Sequence, residues 1–304
     1  MQVARRWWRA SRPGFLLVTL SAVAAGIALT QACGRGWDAP AAAGTVVLAL
    51  LTHAAVNLYN DYGDAVGGSD AINTDRLTPF SGGSRAIQDG VFSAAQMREA
   101  ALRLGLVVVG GGLVLAARAG PGLLLVGAAG LALGWAYSSP RTALMSRGWG
   151  EPAVAAGWWL IVVGADHVQR QGLSAVAAVA GVSPALLVAA ILWTAEFPDA
   201  RADAAVGKRT WVVRLGPQAA AIAYAGIVTT AHLWLAAWWW VDWLPFTAWW
   251  ALGSAPLSLA AAALLWRHAR APQRLGPAIA LSIAAAVAHA GLLAAASVAV
   301  ARLR

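Results

Sequence analysis

Residues 53–64 read His53-Ala-Ala-Val-Asn57-Leu-Tyr59-Asn60-Asp61-Tyr62-Gly63-Asp64 and close an apolar run that opens near residue 41. Asn57, Asp61 and Asp64 stand at i, i+4 and i+7. On a helix that persists through the run they share one stripe, with Asn60 beside it and His53 one turn deeper. Carboxylates in such a place are costly, about 2.5–3.5 kcal/mol each at the centre of a membrane helix and less towards the interface, so a chain keeps few without a use. Three oxygen-bearing side chains on one stripe at the end of an apolar helix predict a membrane protein with a polar site at a helix end.

The rest of the chain agrees. Its 304 residues are 60% hydrophobic and only 12% charged, with mean hydropathy +0.63, which excludes an ordinary soluble domain and a disordered chain. Apolar runs near 14–32, 41–60, 98–117, 121–138, 151–165, 174–195, 217–240, 244–266 and 277–301 are each of roughly membrane-crossing length, about 20 residues. The alternation of a lipid-facing barrel strand is absent, and Ala, Leu and Gly dominate, as they do where helices pack closely. The expected fold is all-α: a polytopic membrane protein of about nine transmembrane helices, with residues 1–304 as a single domain.

The net charge of +9 is a topology signal, not a mark of nucleic-acid binding. With the N-terminus inside, Arg35, Arg118, Arg170, Arg302 and Arg304 fall on outer flanks and the other 17 of the 22 Lys and Arg residues on inner ones. That asymmetry predicts a cytoplasmic N-terminus in a cell inner (plasma) membrane. Arg5 and Arg6 precede the first apolar run and Cys33 follows it, but the residues before Cys33 lack the lipoprotein pattern, and a retained first helix is expected. The Trp-rich stretch from Trp238 to Trp250, and Trp7 and Trp8, read as interfacial belts.

A second acidic stretch, Glu196-Phe197-Pro198-Asp199-Ala200-Arg201-Ala202-Asp203, follows the sixth apolar run. Pro198 is expected to end one helix and open the next, with Asp199 and Asp203 then at i and i+4. Four crossings separate the two stretches, an even number, so both emerge on the cytoplasmic face and can meet. Oxygen ligands without a His or Cys cluster favour a hard cation. Mg²⁺ takes one or two carboxylates and completes its shell with water and substrate phosphate, which points to a phosphorylated substrate. The cations following each stretch, Arg76 and Arg85 after the first and Lys208 and Arg209 after the second, suit the outer oxygens of a diphosphate, or serve topology alone. The polar, glycine-bearing segment from Asp75 to Gly90 is long enough for a lid. Pro140 ends the fourth run with Tyr137 and Arg141 a turn apart.

Asn57-x-x-Asn60-Asp61-x-Gly63-Asp64 with Gly68-x-Asp70, and Asp199-x-x-x-Asp203 with Gly207-Lys208-x-Thr210-x-Val212-Val213-Arg214-Leu215-Gly216, together resemble the UbiA superfamily of intramembrane prenyltransferases. The first motif then spans 57–75 with a cytoplasmic loop to 92, and the second spans 196–216. The likeness covers nearly the whole chain and includes Tyr137-x-x-x-Arg141. Within the superfamily, Asn57-Leu-Tyr-Asn-Asp-Tyr-Gly-Asp64, Asp75-Arg76 and Gly148-Trp-Gly-Glu151 resemble the MenA-like branch, which prenylates 1,4-dihydroxy-2-naphthoate in menaquinone biosynthesis. The loop at Thr78–Arg85 departs from that branch, as do Glu196 and Pro198, where its members tend to carry Asn and a basic residue.

The resemblance implies a Mg²⁺-dependent transfer of a polyprenyl group from a prenyl diphosphate donor to an aromatic acceptor, within the bilayer. It implies that Asn57, Asp61, Asp64, Asp199 and Asp203 hold the metal, with the four aspartates as the catalytic set. It puts Asn60, Arg76, Arg85, Tyr137, Arg141 and Lys208 towards donor and diphosphate, and Arg12 towards an acceptor carboxylate. Another acceptor, such as 4-hydroxybenzoate, homogentisate, a porphyrin or a sugar phosphate, would use the same motifs. A cation-coupled transporter would also carry membrane carboxylates, but near midplane on broken helices and within inverted repeats, neither of which the sequence displays.

Overall fold

A computed structural model describes residues 2–34 and 36–303, so Arg35 and Arg304 of the charge pattern lie outside the described residues. It is all helical, with no strand among the described residues. The helices are α1 (Gln2–Ala10), α2 (Pro13–Ala32), α3 (Ala39–Gly67), α4 (Ser69–Ile72), α5 (Ala94–Ala119), α6 (Gly122–Ser138), α7 (Gly150–Arg170), α8 (Ala175–Ala180), α9 (Val182–Ala205), α10 (Trp211–Leu215), α11 (Pro217–Trp240), α12 (Ala255–His268) and α13 (Gly276–Leu303). By length and composition seven spans can cross a membrane: α2, α3, α5, α8 with α9, α11, the 3₁₀ segment Phe246–Ser254 with α12, and α13. The shorter α6 and the more polar α7, which carries Glu151, Asp166 and Arg170, pack into the same bundle.

Three boundaries differ from the sequence reading. α1 is a separate amphipathic helix, with Arg5, Arg6 and Arg9 on one side and Val3, Trp7 and Trp8 on the other. Trp7 stacks on Phe92 at 3.8 Å instead of serving as a free belt residue, while Trp8 stays exposed. The sixth run breaks at Gly181, where a Cβ would press on Ala177 O at 3.0 Å and on Val162 of α7 at 3.2 Å. Pro198 does not end a helix; it lies inside α9, which continues to Ala205. Proline removes one N–H, and a membrane helix tolerates that where its neighbours bury the site. Phe197 and Trp193 are both buried here, and the Trp193 indole donates to Ala220 O of α11 at 2.9 Å.

The largest core joins α2, α9, α11, α12 and α13 through Val18, Leu187, Ile191, Phe197, Tyr224, Leu265 and Ala286. A buried polar chain joins α9, α11 and α13 to the end of the 3₁₀ segment. The His232 ring bonds Val228 O at 2.7 Å and the Ser254 hydroxyl at 3.1 Å, and the His289 ring bonds Ser254 at 3.0 Å and Ser183 at 2.8 Å. Such bonds tie membrane helices in register. His53 is likewise satisfied, by Thr19 of α2 at 2.7 Å.

α3 sets the position of the first acidic stretch. Its 29 residues form one unbroken helix, roughly 43 Å long at 1.5 Å per residue and so longer than a hydrocarbon core of about 30 Å. Asp38 caps its start by accepting from Ala41 N at 3.0 Å, and Gly68, with φ of +83°, ends it just past Asp64. The helix that carries Asn57, Asp61 and Asp64 therefore has length to spare at its polar end.

Candidate active site

The stripe expected on α3 is formed, and Asn57, Asp61 and Asp64 are buried. Asn57 Nδ2 donates to Ser11 O at 2.9 Å, which leaves its side-chain oxygen as the end available to a ligand. Asp61 forms an ion pair with Arg12 and accepts from the Ser84 hydroxyl and, at 3.2 Å, from Ser84 N. Arg12 also donates to Asn60 Oδ1 at 3.1 Å. Arg12 reaches inward from the joint between α1 and α2, where its φ of +55° turns the chain sharply. Burial works against its charge, but Asp61 above all, with Asp70 and Asp64, more than offsets this and raises its pKa.

Lys208 joins the two acidic stretches. Its ammonium lies 2.6 Å from Asp64 Oδ1 and 3.0 Å from Asp203 Oδ1. Burial disfavours that charge, yet Asp64 and Asp203 together raise its pKa above the usual lysine range. Asp199, one turn before Asp203 on α9, accepts from Asn73 Nδ2 at 2.5 Å and from Gly82 N at 3.2 Å. The segment between α4 and α5 therefore touches both stretches, Asp199 through Asn73 and Gly82 and Asp61 through Ser84. Gly82 and Gly83 make this possible with φ of +72° and +69°. A Cβ on Gly83 would come within 2.6 Å of Asp70 Oδ2 and 3.1 Å of Asp61 Oδ1, so only glycine lets the backbone pass over the carboxylates.

Asp70 and Asn73 belong to this site although the sequence reading gave them no role. Asp70 is buried, its Oδ2 has no hydrogen-bond partner, and burial, then Asp64, push its carboxyl up to about 7 against the pull of Arg12. The only forward signal was Gly68-x-Asp70, which looks like a loop until α4 folds it back. Three expected cations lie off the cavity wall. Arg76 donates to Asn73 O at 2.7 Å, and Arg85 donates to Asp70 O at 2.5 Å and pairs with Asp89 at 3.8 Å. Arg141 is exposed, and its carbonyl accepts from Arg147 at 3.3 Å. All three are long side chains whose destinations depend on loop geometry that helical spacing does not encode. Tyr137 does line the cavity.

The polar groups form one end of a cavity of about 710 Å³. Arg12, Asn57, Asn60, Asp64, Asp199 and Lys208 line that end, while Leu48, Leu115, Leu123, Val126 and Val168 line its depth. Among the described residues no group of three His, Cys, Asp or Glu side chains forms a ready metal cage. The donor set nevertheless suits a hard cation that shares its shell with substrate. It is all oxygen, it lies on the facing helices α3 and α9, and the unpartnered Asp70 Oδ2 of α4 stands beside it. A charged, oxygen-rich mouth on a long apolar cavity between membrane helices fits an amphiphile with an anionic head and a hydrocarbon tail.

Comparison with known proteins agrees with this geometry. Residues 18–274 match the UbiA prenyltransferase family, and the chain belongs to that family as an intramembrane prenyltransferase. It is 30% identical over 217 residues to the 1,4-dihydroxy-2-naphthoate octaprenyltransferase of Escherichia coli (strain K12), covering 69% of this chain and 68% of that protein. It is 30% identical over 230 residues to the enzyme of the same name from Mycobacterium tuberculosis (strain ATCC 25618 / H37Rv), covering 74% and 75%. In fold it resembles the apo structure of a UbiA homolog from Aeropyrum pernix K1, with TM-score 0.70, 17% identity and coverage of 90% and 94%. A UbiA homolog from Archaeoglobus fulgidus bound to GPP and Mg²⁺ gives TM-score 0.65 at 13% identity, covering 98% and 99%. The family resemblance and the MenA-like branch read from the motifs are thus borne out, as is the all-helical membrane fold.

Proposed function

We propose that this prenyltransferase moves a polyprenyl group from a prenyl diphosphate to 1,4-dihydroxy-2-naphthoate, with Mg²⁺, in menaquinone biosynthesis. The observation that carries the reading is Lys208 held between Asp64 and Asp203, which makes one anion- and cation-binding face of two distant stretches at the mouth of an apolar cavity. The acceptor follows the naphthoate-prenylating relatives. Asn57, Asp61, Asp64, Asp199 and Asp203 would hold Mg²⁺, which when bound supplies charge for the leaving diphosphate.

The remaining steps belong to the chain's own groups. Lys208 and Arg12 already neutralise carboxylates in the unliganded protein and turn to the diphosphate as it enters, so neither is desolvated without a partner. Asn60 and Tyr137 flank the head group and the first isoprene unit. Arg76 and Arg85 act at one remove, by fixing Asn73 O and Asp70 O and so the segment carrying Ser84. Arg141 stays with the membrane interface. The tail lies along the apolar depth of the cavity, and the same walls keep water from the allylic carbon as positive charge grows on it. In this reading all nine long helical units cross the inner (plasma) membrane, the N-terminus is cytoplasmic and the site opens to the cytoplasm.

The test is product analysis. Protein in nanodiscs, given geranylgeranyl diphosphate and 1,4-dihydroxy-2-naphthoate, is expected to yield the prenylated naphthoquinol by mass spectrometry with Mg²⁺ and none with EDTA. Turnover of 4-hydroxybenzoate or homogentisate in its place would overturn the acceptor, and product formation in EDTA would overturn the metal.

A further inference from the structure

Two buried acids stand at the cavity outside the set expected to hold the metal. Glu196, one turn before Asp199 on α9, lines the cavity, and Glu151, at the start of α7, stands beside it; each is only 6% exposed. The two side chains lie within hydrogen-bonding reach of each other, and the Thr210 hydroxyl comes within reach of Glu196. A proton shared between the two carboxyls is the one hydrogen available to them there: no other described group donates to either oxygen of Glu151 or to Oε2 of Glu196, all of them buried. The cations of the site are engaged elsewhere, Arg12 on Asp61 and Lys208 on Asp64 and Asp203.

A buried acceptor left without a donor costs about 1–3 kcal/mol, and more when charged. Such a group in a native cavity wall points to a ligand that supplies the missing hydrogen. A diphosphate cannot do so: it is an anion without a donor to spare, and it is repelled by two carboxyls and drawn to Arg12 and Lys208. A ring bearing hydroxyl groups can. Its flat apolar body suits the neighbouring wall of Tyr137, Ile191 and Leu192, and its O–H is the donor that Glu196 lacks. Along α9 Glu196 stands between Asp199 of the diphosphate face and Ile191 and Leu192 of the apolar wall, the stretch that would face the reacting carbon of a donor bound head-first at Asp199.

We propose that Glu196 accepts a hydrogen bond from a hydroxyl of the aromatic acceptor and so fixes the ring beside the donor's allylic carbon, with Glu151 as a positioning residue behind it. This rests on the acceptor reading above. A buried polar group made for a substrate hydroxyl also rejects rings that lack one.

Steady-state kinetics in nanodiscs with geranylgeranyl diphosphate and 1,4-dihydroxy-2-naphthoate test it. Glu196→Ala is expected to raise KM for the naphthoate about 10- to 100-fold while KM for the donor stays within about 2-fold, the size of leaving a buried hydroxyl without its partner. Inhibition by 2-naphthoate, which has no hydroxyl, should be unchanged in the same variant. Glu196→Gln keeps an acceptor oxygen and should recover part of the loss; it also carries the test if the alanine variant does not fold. Glu151→Gln should raise KM for the naphthoate on wild-type protein but add nothing on Glu196→Ala, as expected for a residue acting through Glu196. The proposal is overturned if KM for the naphthoate does not move, if KM for the donor rises in parallel, or if 2-naphthoate weakens equally. If the wild type prenylates a different hydroxyaromatic, the acceptor reading fails separately, and the same comparison with that ring decides Glu196.

Discussion

The polar end of α3 and α9 and the polar chain between α9, α11, α13 and the 3₁₀ segment both bury hydrogen-bonding groups in an apolar bundle, but they do so differently. In the second, each ring nitrogen of His232 and His289 has a partner, and every member of the chain is neutral or can be. In the first, carboxylates are held by borrowed cations and by loop backbone, Asp70 Oδ2 and Arg12 Nε have no partner, and three oxygens of the Glu151–Glu196 pair have none beyond each other. A closed network specifies how helices pack; an open one stores binding capacity for a ligand. The two regions should therefore fail differently when damaged.

The largest effect is expected from Asp61→Ala or Asp199→Ala, each losing at least about 10³-fold in kcat/KM, the scale of losing an electrostatic group in a transition state. The thermal midpoint should stay near wild type for Asp199→Ala, which removes a charge from a crowded acidic face, whereas Asp61→Ala also strands the Arg12 guanidinium and should lose stability as well. His289→Ala should show the reverse, a fall in stability of about 1–3 kcal/mol from an unpaired Ser183 hydroxyl and the loss of one of the bonds to Ser254, which keeps His232, with near-normal turnover per folded molecule. A catalytic loss in the histidine variant without a stability loss would erase the distinction between the regions.

Lys208→Met comes next. It leaves Asp64 and Asp203 facing each other without their shared ammonium, and KM for the donor should rise about 10- to 100-fold, as when one partner of a buried pair is removed. Gly83→Ala forces a Cβ against Asp70 and Asp61 at a φ of +69°, and kcat should fall about 10-fold, roughly 1.4 kcal/mol, while Gly90→Ala, with nothing near its Cβ, should not.

An effect on stability and not on turnover concerns Asp70 in metal-free protein. Its folded pKa of about 7 lies above the ordinary carboxylate value of 3.8. Between those pH values the folded state keeps a proton that the unfolded state releases, so this group lowers stability as pH rises towards 7, and the loss levels off above it. The thermal midpoint of Asp70→Asn relative to wild type should climb between pH 5 and pH 8, and a flat difference would remove Asp70 from the buried face.

Much of this architecture was legible in the residues. The i, i+4, i+7 spacing from Asn57 and the i, i+4 spacing from Asp199 are local, and α3 and α9 express them directly. An even number of apolar runs between the two stretches was enough to bring them to one end. Contacts set by loops and long side chains were not legible. Asp70 reads as a turn residue until α4 folds it under Gly83, and Arg85 ends on Asp70 O and Asp89 instead of the cavity wall. The Glu151–Glu196 encounter joins two helices with no shared motif. Pro198 misled for a physical reason, since the rule that proline ends helices weakens where packed neighbours bury the break.

The central claim is that two stretches far apart in sequence form one cation-holding face, and Mn²⁺ binding followed by electron paramagnetic resonance in the presence of geranyl diphosphate tests it most directly. Asp64→Asn on α3 and Asp203→Asn on α9 should each abolish diphosphate-dependent Mn²⁺ binding. Full binding retained in either variant would contradict a shared face.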